Sequence, residues 1–126
     1  MAAGQTSLLE KKFTAGGAIS ALTCVKFGSD DNSVVAATAA TDVVIGIAQH
    51  DASSGEGVRV MMLGISRAKA GGTITRGALV GSDASGQVVA LAPAGGTNNY
   101  AVGYALASAV SGDIIPVLVV PSRPQG

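Results

Sequence analysis

The chain has no tryptophan, only two phenylalanines and two tyrosines, one cysteine and one histidine in 126 residues. So few aromatic rings leave little planar surface on which bases or sugars could stack. A single cysteine excludes an intramolecular disulfide; Cys24, set between Thr23 and Val25 in a strand-like run, reads as a small buried hydrophobe rather than a reactive thiol. Charge is scarce as well: 13% of residues are charged, where roughly 25% is usual for soluble domains. Eight basic and eight acidic residues cancel to a net charge of zero. That removes the clustered positive field on which binding to phosphate backbones depends, so nucleic acid is not an expected partner. No apolar run approaches the roughly 18 residues of a membrane helix. The opening MAAGQTSLLEKK has no basic segment leading into an apolar one, so neither a membrane span nor a secretion signal is expected.

Catalytic equipment is equally thin. No HExxH, CxxC or GxSxG pattern occurs, and the AGG tripeptides at Ala15, Ala70 and Ala94 do not continue into the Lys-Ser/Thr of a phosphate loop. They read as turns. His50 precedes Asp51 in HDASSGEG, the composition of a solvated loop, which favours a surface histidine over an oriented base. Asp30 in GSDDN and Asp83 in GSDASG read as turn formers, and so do Glu56 and Asp113, each following a glycine just before a strand. The chain is therefore expected to be no enzyme, with no metal and no cofactor.

What the sequence does contain is self-similarity. AGGAISALTCV from Ala15 aligns with AGGTITRGALV from Ala70, 55 residues on. GSD at Gly28 meets GSD at Gly81, VVA at Val34 meets VVA at Val88, and GIA at Gly46 meets GYA at Gly103, with offsets drifting from 53 to 57. GEGVRVMML from Gly55 then faces GDIIPVLVV from Gly112, again 57 residues on. Five collinear blocks divide the chain into an arm over residues 1–14, one β domain over 15–120 made of repeats at about 15–66 and 70–120, and a tail over 121–126.

Each copy reads as short β-strands, because apolar runs of four to eight residues rich in Val and Ile are bounded by Gly, Asp, Asn and Ser. The expected strands are Leu22–Phe27, Ser33–Ala37, Val43–Gln49 and Val58–Ser66, then Ala78–Val80, Gln87–Leu91, Tyr100–Ala107 and Ile114–Val120. Alternation puts Val58, Val60, Ile115 and Val117 inward, with Arg59 and Pro116 on the face or edge that tolerates a charge or a missing N–H. The fold class read from this pattern is all-β. In SLLEKKFT, alternating Leu9, Lys11 and Phe13 against Leu8, Glu10 and Lys12 suit an extended arm able to add a strand to a neighbour's sheet.

The KFTAGGAI opening, the block TDVVIGIAQHDASSGEGVRVMMLGIS, the block AKAGGTITRGALVGSDASGQVVALAPAGGTNN and the close YAVGYALASAVSGDIIPVLVVPSRPQG together resemble the capsid cement or head decoration proteins of tailed bacteriophages. The resemblance implies a compact β-barrel or β-sandwich-like domain, made in the host cytoplasm, that sits on the outer capsid surface of the virion. There it would clamp major capsid protein subunits, as a homo-oligomer in which a trimer is favoured. Greasy, weakly charged composition fits such an assembly role. A particle-displayed β module binding a host glycan or receptor is the alternative, disfavoured by the few aromatics, and a small hydrolase is a third, disfavoured by the absence of a nucleophile and base at recognisable spacing. Contacts with capsid or neighbouring subunits are expected in what the two copies do not share: Leu8, Leu9, Lys11 and Phe13 of the arm, Asn98 and Asn99 of the loop, and Arg123 of the tail.

Overall fold

The computed structural model describes residues 6–91 and 99–122. Among them are nine strands and no helix: β1 (Thr6–Ala15), β2 (Cys24–Phe27), β3 (Ser33–Ala36), β4 (Val44–Ala48), β5 (Gly57–Lys69), β6 (Leu79–Ser82), β7 (Val88–Ala90), β8 (Ala101–Ala105) and β9 (Ile114–Ser122). Each of the eight runs expected to be strands overlaps one, and β5, β6 and β9 run past the expected ends. The ninth strand, β1, lies where an arm was expected. It runs antiparallel to β5 from Thr6↔Ile65 to Thr14↔Gly57, so these residues pair within their own chain.

The strands follow the order β1-β3-β2-β4-β5-β9-β8-β6-β7, and the β1–β5 pairing closes the first five into a ring. The second group, β5-β9-β8-β6-β7, is closed by a parallel bridge from Ala70 to Val88. The 13-residue β5 therefore belongs to both rings. Val60 and Met61 pair with β1 and with β4, while Gly64 and Ile65 pair with β1 and with β9. A residue can ladder to only one strand on each side. Hence β4 and β9 follow one another along one edge of β5, with β1 along the other.

The same pairings recur in the two rings at the sequence offsets. Ala15 pairs in parallel with Val34, and Ala70 with Val88. Phe13↔Val58 has its counterpart in Ala68↔Ile115, and Ile19↔Ala52 in Ile74↔Ala109. Gly55 and Gly112, at φ 89° and 94°, each donate an N–H to the carbonyl of the alanine that opens an AGG, at 2.7 and 2.8 Å. Positive φ favours glycine at such places. Leu22 occupies the place of Gly77 and is itself left-handed, at φ 65°.

Alternation sorts the core. Val58 and Val60 are fully buried with Phe13, Val25 and Val34 in the first ring; Ile115, Val117 and Val119 are buried with Val80, Val88 and Val102 in the second. Cys24, Ala37, Val44 and Ile47 of the first ring belong to the second core, and Cys24 N–H donates to the Gly86 carbonyl at 2.7 Å, so the rings share packing. Pro116 is not on an edge: β9 has β5 on one side and β8 on the other. Its carbonyl accepts from the Leu106 N–H, beyond the end of β8 at Ala105, so the ring nitrogen on that side faces no ladder acceptor.

Candidate partner-facing surface

The groups that would be needed for chemistry are engaged in holding turns. Glu56 accepts the Ser53 N–H at 2.7 Å, and Asp113, its counterpart, accepts the Val110 N–H at 3.0 Å. Asp30 and Asp83 take the N–H two residues on, from Asn32 and Ser85. Asp42 collects the N–H groups of Thr38 and Ala39 and pairs with Lys26 at 3.1 Å. The Thr38 hydrogen bond, helped by the lysine, holds its carboxyl below the usual carboxylate range. Burial, with Asp83 nearby, pushes the Cys24 thiol up to about 12, the opposite of an activated cysteine. His50 uses both ring nitrogens locally: Nε2 accepts the Arg59 N–H at 3.2 Å, which leaves Nδ1–H to donate to the Asp51 carbonyl at 3.0 Å. Among the described residues no three His, Cys, Asp or Glu side chains are grouped to hold a metal.

The expected contact residues separate on the structure. Leu8 is 70% exposed and Leu9 50% exposed. A bulge leaves Leu8 without a partner on β5, since Ser7 faces Gly64 and Leu9 faces Leu63, and a bulge of this kind re-aims a side chain. Lys11 is exposed and lays its Nζ over the Phe13 ring, 4.2 Å from the centroid. Phe13 is buried in the first core, edge-on to Phe27 at 6.0 Å, and Asn99 is buried too, so neither offers a partner much surface. Asn98 and Arg123 lie outside the described residues.

A larger surface appears once strand registers are known. Residues directly opposite across a ladder share a face. Ile65↔Leu118, Leu118↔Tyr104 and Tyr104↔Leu79 therefore form one row across β5, β9, β8 and β6, on the face turned away from the second core. Two positions along the same strands stand Leu63 and Val120, both exposed, and beside Pro116 lies exposed Leu106. Leu9 adjoins Leu63 at one end. Arg67 shares this face as the partner of Pro116. Its Nε is buried without a hydrogen-bond acceptor among the described residues, a state that costs a charged group more than the roughly 1–3 kcal/mol of a neutral one. Sequence reasoning missed this surface because Leu118 and Val120 show only that they alternate outward. Their alignment with Ile65 and Tyr104 is a matter of register between distant segments.

Comparison with solved structures finds a similar fold in the N base of the head fiber protein gp8.5 of bacteriophage phi29. The match has a TM-score of 0.66 at 19% sequence identity and covers 94% of this chain and 98% of that one. No curated protein sequence matches the chain. The sequence model of the phage cement proteins matches residues 3–120, nearly the whole chain, and the chain belongs to that family of phage head structural proteins.

Proposed function

We propose that this chain is a capsid cement: it binds the outer surface of a phage head as a homotrimer and holds neighbouring major capsid protein subunits together. The observation that carries the reading is the family match over residues 3–120. The surface adds support, because a weakly charged chain that keeps large apolar side chains outside two closed cores is built to be covered by something else. The tandem reading of the chain belongs to the same proposal and is supported by pairings that recur at offsets of 54 to 57. Two similar β units in one chain give an assembly twice as many similar contact surfaces as subunits.

Mixing the protein with phage heads that lack it, and pelleting the heads, tests the proposal. The expected outcome is saturable co-sedimentation at a fixed ratio to coat protein, with light scattering giving three times the chain mass for the free protein. Failure to pellet with heads would overturn the capsid reading, and a monomer or dimer mass would overturn the trimer.

A further inference from the structure

The face formed by β5, β9 and β8 has no part in either core and no covering element among the described residues. Leu63, Tyr104, Leu106 and Val120 on it are each about two-fifths exposed and Leu9 at its margin is half exposed, with Ile65 and Leu118 half-buried between them. Large apolar side chains exposed side by side in this way mark a surface that a partner covers. The one charge set within it is Arg67, whose guanidinium has no ion pair or hydrogen bond among the described residues and whose Nε is already out of water.

This chain is poorly furnished to supply the missing acceptor from a second copy. Six of its eight carboxylates, Asp30, Asp42, Asp51, Glu56, Asp83 and Asp113, accept backbone N–H groups in turns, and Glu10 pairs with Arg59 at 3.6 Å. Asp31 alone is left. A carboxylate from a different protein would complete Arg67 with a charge-assisted bond at the margin of an apolar contact, and arginine is favoured in such places because its planar fork is weakly hydrated and matches a carboxylate.

We infer that the outer β5–β9–β8 face is the surface that docks on the coat protein, meeting there an apolar patch that carries a carboxylate for Arg67. The inference rests on the capsid reading above and assigns it a face and a chemistry. The docking surface then lies on the second ring, along the strand that the two rings share.

The test is co-sedimentation with heads lacking the protein, using the full chain and three variants whose substitutions all introduce glutamine. Leu63→Gln combined with Tyr104→Gln changes exposed positions of the face, Arg67→Gln removes the charge, and Val110→Gln alters an apolar side chain 59% exposed elsewhere. The face variant and Arg67→Gln are each expected to bind at least tenfold more weakly while still melting cooperatively as folded chains, Val110→Gln to bind as the unaltered chain does, and Arg67→Lys to recover part of the loss. Face variants that bind heads normally would overturn the inference while leaving the capsid reading intact. Face variants that lose self-association in light scattering but still bind heads as monomers would show that a second copy covers the face, which also overturns it. No binding by the unaltered chain would overturn the capsid reading and this partner together.

Discussion

The imidazole Nε2 of His50 accepts the backbone N–H of Arg59 at 3.2 Å, and at the corresponding places of the other ring stand Ala107 and Pro116. The two rings solve one problem in two ways. Where β5 runs past the end of β4, an N–H is left without a strand partner; the first ring gives it a side-chain acceptor and the second removes it by using proline. The pairing accounts for the single histidine of the chain as part of the fold.

His50→Ala is therefore expected to lower stability by about 1 kcal/mol, the ordinary worth of one hydrogen bond. Adding Arg59→Pro in the same chain should cost little more than the lost Glu10 contact, because it rebuilds the arrangement at Pro116. Urea unfolding of the single and double variants checks this. A double variant that fails to fold would contradict the equivalence.

Gly46 on β4 and Gly103 on β8 sit so close to the next strand that a Cβ at either would run into a backbone carbonyl, of Met61 and of Leu118 respectively. Strands β5 and β9 would have to move. Gly46→Ala and Gly103→Ala should each destabilise by about 1–3 kcal/mol through overpacking. In a chain of this size that lowers Tm by roughly 5–15 °C, measurable by calorimetry, whereas Gly17→Ala, with open space around it, should change Tm little.

Cys24 is fully buried and its thiol is pushed up to about 12. In the native protein at pH 8 it should stay unmodified by a thiol reagent for as long as the fold persists and react at once when the chain is unfolded. Following the colour released from a disulfide reagent, with and without denaturant, decides this.

The carboxyl of Asp42 titrates below its ordinary value, chiefly through the Thr38 N–H and with help from Lys26. A carboxyl lowered by folding adds stability that is complete above the unfolded value of about 3.9 and is lost as pH falls through the lower folded value. Asp42→Ala should therefore melt several degrees below the unaltered chain at pH 7, with the gap narrowing as pH is taken progressively below the unfolded value. A gap that stayed constant with pH would mean that the side chain acts without its charge.

Much of the fold was legible because its signals are local. Alternation around Val58 and Val60, and around Ile115 and Val117, gave the buried faces, and the Gly-Asp spacing gave turns that Asp30, Asp83, Glu56 and Asp113 hold. The first strand was hidden by its surface: exposed Leu8 and Leu9 and the charged run Glu10 to Lys12 disguise the one inward anchor, Phe13. Pairing of β1 with β5 joins residues about fifty positions apart, and nothing in SLLEKKFT names its partner. The outer face was illegible for the same reason, since Ile65, Leu118 and Tyr104 come together only through the registers of β5, β9 and β8. Arg67, in the short stretch between the repeats, carries no local signal of its place opposite Pro116.

Heating phage heads with and without this protein tests the cement role most directly. Heads saturated with the chain should release their DNA at a higher temperature than bare heads, and the gain should vanish with the Leu63→Gln and Tyr104→Gln pair. Equal release temperatures for saturated and bare heads would contradict it.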